Sequence, residues 1–470
     1  EDPTFAMAFL ELGIALWWEG VAEQALVEIE KGFGHISRLS EEDRQIYRAF
    51  HDMLTSLEYA DLAVKILEEL VAKGSTNPSV YYLLGECYTH AAIAIDLEKA
   101  MGLFLKALEL DPTYRVVFFH LLEGYIGSGQ VEEGLAFLRK LEQEDPDDFS
   151  VLNAQVNLLL SQQRYEEAYA ITQRLEKISN NPRAIAFCKA HCHAGLGNFE
   201  LSEKYEAEAL ESSQGLIQTA AYVQQHASRI LRGKFLIGEK FWEESWKSFE
   251  GDRSSELTGN INHSLMAVEY ASNLFQQGRI EDCISVLELY RTRRDTQGIP
   301  QFWLGYFLIK SGEVAEAEVI LQELKTRAQR YESTPYMDSN IVLLGALIHS
   351  AKGNPEQARK DLDSLNDVPL LNRRVGVERW LRGIVEAELG NPVKAVLFMD
   401  QIHTPEGRTG MPVTEVIESL HTQGVLEQDL GEFGSAREHF EQFLKHWGDA
   451  DIPLKTVDDA RERMKILNAD

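Results

Sequence analysis

Cysteine, proline and basic side chains are all scarce in this chain, and each shortage removes a class of answer. Four cysteines in 470 residues cannot staple a fold of this size. Their rarity suits a reducing compartment and equally an oxidising one where no disulfide is needed, so cytoplasmic and periplasmic locations both stay open. Only 13 prolines occur, with no long Gly/Ser/Pro stretch, which argues against disorder. Lys and Arg number 46 against 75 Asp and Glu, a formal charge of −29. Phosphate binding depends on Lys and Arg displacing counterions, so nucleic acid is not an expected partner, nor is an anionic lipid surface. No apolar run reaches the roughly 18 residues needed to span a bilayer, and no signal peptide is present, so no membrane insertion is expected. The chain opens at Glu1 rather than Met and enters a helix almost at once, which reads as a segment of a longer protein.

Catalytic signatures are missing too. There is no GxxxxGK[ST] or strand-borne GxGxxG phosphate cradle, no kinase motif set, no GxSxG elbow, no HExxH and no DxDxDG loop. No catalytic residue and no cofactor are therefore expected, and any catalytic domain would lie outside this chain.

What the chain does have is a period. Segments such as EQALVEI, EKAMGLF, EEGLAFL, EEAYAIT, AEAEVIL and GSAREHF recur along its whole length. Gly134, Ala168 and Ser202 are spaced by 34, as are Cys283 and Ala317, and Pro112 and Pro146. Twelve residues before the small residue of the second helix, several repeats carry a glycine: Gly13 with Ala25, Gly305 with Ala317, Gly383 with Ala395, Gly424 with Ala436. A turn glycine falls between the two helices at Gly20, Gly278, Gly312, Gly390 and Gly431, where a helix end favours positive φ. About twelve helix pairs result, closed by a polar helix over 456–467 that covers the last apolar face. The third pair carries about three extra residues in its HAAIAID corner. The least regular unit spans 214–250, and GDRSSELTGN at 251–260 is the expected break. It separates an N-terminal array, 1–250, of about seven repeats from a C-terminal array, 251–470, of about five repeats and the closing helix.

Thirty-four residues is the tetratricopeptide period, and the chain resembles that repeat family across nearly its whole length. The resemblance implies an all-α, right-handed α-α superhelix. DPTFAMAFLELGIALWWEG, LSEEDRQIYRAF, YYLLGECYTHA and the closing FLKHWGDADIPLKTVDDARERMKIL are similar to the C-terminal repeat region of bacterial membrane-associated Ser/Thr kinases and related regulators. That likeness implies a sensing or docking region attached to a separate output domain.

In the family, the first (A) helix of each pair lines the groove of the superhelix. With its glycine counted as position 8, positions 2, 5, 9, 12 and 13 point inward. Carried onto this chain, these give Trp17, Trp18, Phe119, Glu123, Asn153, Asn157, Phe187 and His191 in the first half. In the second half they give Phe302, Tyr306, Lys310, His349, Trp380, His421 and Gln428. The Lys/Asn/Arg carboxylate clamp of chaperone-binding members is incomplete: Asn153 and Asn157 are present, but Ala184, Phe187 and Cys188 replace the basic residues. Acidic tails are therefore disfavoured, and a protein or peptide with apolar anchors is the expected partner. Self-association through an open end of the solenoid is a further expectation. A small-molecule or metal pocket inside the superhelix is the alternative. In the run FCKAHCH, Cys188, His191 and Cys192 are the metal-ligand candidates, although a buried structural reading is preferred and no metal is expected. His193 in the same run falls at a core position.

Overall fold

The computed structural model describes residues 5–18, 22–55, 60–90, 96–179, 181–211, 213, 225–250, 260–291, 298–331, 333–404 and 410–468. Among them there are 25 α-helices and no strand. They form twelve consecutive pairs, from Ala6–Trp18 with Ala22–Phe33 to Val413–Leu430 with Phe433–Trp447. The closing helix Lys455–Leu467 lays Val457, Ala460 and Leu467 against the last pair. The expected all-helical solenoid is what the chain forms.

Local chemistry explains where the helices start. Pro78, Pro182, Pro335, Pro355 and Pro392 occupy first helical positions, where a missing N–H costs nothing. Asp96, Asp148, Asn181 and Thr334 accept hydrogen bonds from free N–H groups of the first turn. Between the helices of a pair the chain reverses through a repeated corner. One N–H reaches back five residues, as in Gln130 to the Tyr125 carbonyl, Arg279 to Leu274 and Glu432 to Glu427. A residue at positive φ sits just before that N–H: Gly129, Gly278, Gly312, Gly390 and Gly431, but Gln163 at φ 59° in the fifth pair. Gly20, expected to do the same in the first pair, lies outside the described residues.

The small residues of the second helices are sealed in the core. Ala25, Ala63, Ala168, Cys283, Ala317, Ala358, Ala395 and Ala436 are all fully buried. The helix-A glycine has a different partner from the one its spacing implies. A Cβ on Gly85, Gly383 or Gly424 would lie 2.5, 2.7 or 2.9 Å from Phe104, Met399 or Phe440. Each of those is four residues beyond the small one, so the glycine receives a large side chain from the next helical turn.

The chain divides into two compact units, residues 1–222 with 245–260, and residues 223–244 with 261–470. The pair that the sequence places last in the N-terminal array thus sends most of its described residues to the second unit. Of the expected break at 251–260, residues 251–259 lie outside the described residues and Asn260 begins the Asn260–Gln276 helix. This seventh pair keeps the register with its sizes inverted. His226 stands where other repeats have glycine, and its Nδ1 lies 2.9 Å from the carbonyl of Gly238, the small residue twelve positions on.

Packing differs between the units. In the first, side-chain bonds tie each pair to its neighbour, such as Arg115 to Asp148 and Arg164 to Glu132, 2.9 Å each. In the second, the last pair returns to the first. Trp447 is fully buried, and its indole Nε1 donates to the Ile230 carbonyl at 3.0 Å. Asp451 accepts from the backbone N–H of Phe235 at 2.8 Å and of Leu236 at 3.2 Å, while its own N–H donates to the Gly233 carbonyl at 2.9 Å. The second unit is a turn of solenoid closed on itself.

Candidate functional site

In the first unit three successive A helices, Phe118–Gly127, Phe149–Ser161 and Pro182–Gly195, lie side by side. The 34-residue register aligns two rows across them: Phe119, Asn153 and Phe187 in one, Glu123, Asn157 and His191 in the other. Phe119 is 57% exposed. Glu123 and His191 are also exposed, and Asn153, Asn157 and Phe187 are half-buried. The polar members are held in place locally. Asn157 donates from Nδ2 to the Asn153 carbonyl at 2.9 Å, and His191 Nδ1 lies 3.0 Å from the Phe187 carbonyl. The Cys188 thiol donates to Asn153 Oδ1 at 3.4 Å and so ties two of the helices together. Trp17 and Trp18 end the first helix, but their side chains lie outside the described residues.

A residue the sequence reading passed over orders this strip. His120 is buried beside Phe119, with its Nε2 2.9 Å from Glu86 Oε1 and its Nδ1 3.0 Å from Glu123 Oε2. Its ring stacks on Phe104 at 5.3 Å, and Phe119 meets it edge-on at 5.0 Å. Burial alone would lower its pKa, but the two carboxylates outweigh burial and hold it up at about 10. A charged imidazolium therefore locks Glu123 and braces Phe119. The available signal was the spacing itself, since Glu86 and His120 are 34 apart.

The metal-ligand candidates of the FCKAHCH run stand in different surroundings. Burial pushes the Cys188 thiol up to about 12 and the Cys192 thiol to about 11, so both stay protonated. Cys192 lies against Thr172, and His191 points outward from the exposed face. His193 is a core residue, stacked on Tyr205 at 5.5 Å.

In the second unit the corresponding residues are turned inward or already engaged. Phe302 and Tyr306 are 1% and 2% exposed. The Tyr306 hydroxyl donates to Glu415 on the last A helix, and Lys310 reaches the same carboxylate at 3.4 Å and Glu418 at 3.1 Å. Burial, then the neighbouring Glu415, pushes the Tyr306 phenol well up. Trp380 is half-buried with Tyr306 edge-on at 5.6 Å. His349 pairs with Asp361 at 2.6 Å, His421 with Asp459 at 2.8 Å, and Gln428 accepts from Arg463 at 2.8 Å. The expectation of an open aromatic groove in this half is corrected for Phe302 and Tyr306. Closure of the unit puts its last A helix where a ligand would have to sit.

Fold and strip together define a class: an all-helical solenoid of consecutive helix pairs, with an accessible A-helix face in one unit. No family model matches the chain, and no curated protein matches it in sequence. Among solved structures it is similar to an APC/C hetero-tetramer, Cut9-Hcn1, at 14% identity and a TM-score of 0.33, covering 98% of this chain and 89% of that one. It is likewise similar to yeast Tom70 at 12% identity and a TM-score of 0.40, covering 100% and 96%. Likeness at that level carries no argument about partners, so the fold rests on this chain's own helix pairs. Among the described residues no helix is long and apolar enough to cross a membrane.

Proposed function

We propose that this chain is a protein-binding repeat scaffold. In this reading the A-helix face of the first unit holds an extended or helical segment of a protein partner. The observation that supports it is the pair of rows described above: Phe119 and Phe187 offer apolar anchors, while Glu123, Asn153, Asn157 and His191 offer polar contacts between them. Neighbouring helices and the Glu86–His120–Glu123 cluster hold these groups in place beforehand, so little ordering entropy is lost on binding. Exposed aromatics on such a face are the side-chain type that dominates interface energy. Phe302 and Tyr306 are not part of the proposed surface.

The test compares the full chain with a Phe119→Ala/Phe187→Ala double variant as bait for partner capture, followed by affinity measurement on the captured protein. The reading expects at least a tenfold loss of affinity with the fold unchanged by circular dichroism. Equal affinity for both baits removes it.

The resemblance of the end segments to kinase-linked repeat regions supports a finer reading, in which this scaffold is the sensing or docking arm of a bacterial signalling protein. That reading requires an output domain in the same polypeptide. A full-length gene encoding none overturns the finer reading and leaves the scaffold intact.

A further inference from the structure

We propose that Asp400, Glu427 and His439, joined by the side-chain amide of Gln423, form a binding site for one divalent transition-metal cation between the last two helix pairs of the second unit. The argument starts from two equivalent glutamates. Glu386 and Glu427 each follow the helix-A glycine by three residues, Gly383 and Gly424, and each is almost fully buried. Glu386 is neutralised by Arg359 at 3.0 Å and Lys394 at 2.8 Å, with Asn391 donating at 3.0 Å. One repeat later, the position of Lys394 is held by Ser435 and that of Phe398 by His439. In place of two cations, Glu427 meets His439 Nδ1 at 2.7 Å and a second carboxylate, Asp400.

The ligand atoms of Asp400, Glu427 and His439 all lie within 4.8 Å of one another. Among the described residues no Lys or Arg pairs with either carboxylate. Asp400 also ends the Pro392–Asp400 helix, the end at which the helix dipole disfavours a negative charge. Two carboxylates thus share the His439 imidazole, which is paired with Glu427 at 2.7 Å.

Gln423 supplies an independent pointer to a ligand. Its side chain is completely buried, and its amide is aimed into the cluster, with Nε2 donating to Asp400 and, at 3.1 Å, to Glu427. Its Oε1 is buried without a hydrogen-bond partner, an arrangement that costs stability. Half a turn of the amide exchanges oxygen for nitrogen at little steric cost. Oxygen facing two carboxylates is repulsive on its own and becomes favourable with a cation between them. The ring of His403 lies 6.2 Å from that of His439, so a second imidazole flanks the cluster.

One imidazole nitrogen with carboxylate and amide oxygens is a mixed N/O set. It suits Zn2+ or Mn2+ better than Ca2+, which takes oxygen ligands, or soft metals, which take thiolates. Ligand atoms about 2.0–2.1 Å from the ion would stand about 3.3 Å apart, so the His439–Glu427 hydrogen bond must open slightly to admit it. A bound ion would staple three helices, Pro392–Asp400, Val413–Leu430 and Phe433–Trp447, at the end of the array.

The experiment titrates chelator-treated full chain with ZnCl2, MnCl2 and CaCl2 in separate calorimetric runs. One equivalent of Zn2+ or Mn2+ should bind, with CaCl2 at least tenfold weaker. Asp400→Asn changes an exposed side chain and should leave the fold intact, yet weaken binding at least tenfold. His439→Ala should do the same, and added metal should raise the melting temperature of the natural chain but not of Asp400→Asn. Absence of saturable binding overturns the site. So does equal binding by the natural chain and both variants, the result expected of an adventitious ion only.

Discussion

The two units are built on one register and put it to opposite uses. In the first, side-chain hydrogen bonds between helix pairs join neighbouring pairs, over 13 positions for Gln155 with Glu142, 31 for Lys99 with Glu68 and 35 for Cys188 with Asn153. In the second, such neighbour bonds are joined by ties of 105 to 217 positions: Tyr306 and Lys310 with Glu415, Ser272 with Thr414, Phe235 with Asp451, Trp447 with Ile230. A solenoid stabilised only by neighbours leaves its A-helix face free, whereas one that meets its own end consumes that face as core. The same sequence position therefore gives an exposed Phe119 in one unit and a sealed Phe302 in the other.

The largest effect that would break this contrast is expected at Trp447. Trp447→Ala removes a buried indole from the closure and should cost the second unit about 3–5 kcal/mol, read by denaturant unfolding with hydrogen exchange resolved by region. A matching loss of protection in the first unit would mean the two are not separate. Next comes Glu86→Gln in the first unit, which leaves the His120 charge half-paired and should cost about 3 kcal/mol. Because the folded pKa of His120 is raised from 6.5 to about 10, its stabilisation is complete below pH 6.5 and is lost as pH rises through about 10. The natural chain should then lose first-unit stability between pH 7 and 10 more steeply than Glu86→Gln, and parallel pH profiles would refute the charged imidazolium. Asp451→Ala deletes a remote cap on the Phe235–Glu250 helix and should cost about 1 kcal/mol, confined to the second unit. Phe119→Ala should change stability least and partner affinity most.

Much of the fold was legible because a helix pair is a local object. The small residues Ala25, Cys283, Ala317, Ala395 and Ala436 mark core positions, and the structure buries every one. The fifth corner was harder to read because Gln163 occupies its positive-φ position. The seventh pair hid because a histidine and a glycine had exchanged places, with His226 at the glycine position and Gly238 at the small one. Closure left no periodic trace at all. Asp451, Trp447 and Gly233 look like ordinary loop and helix residues until residues more than 200 positions away are brought beside them. For that reason Phe302 and Tyr306 of the second unit read as a groove when they are core, whereas Phe119 in the first unit is exposed.

Hydroxyl-radical footprinting of the intact chain, with oxidation measured side chain by side chain, tests the contrast most directly. The account predicts strong labelling of Phe119, clear labelling of Phe187, and protection of Phe302 and Tyr306. Equal labelling of Phe302 and Phe119 would contradict it.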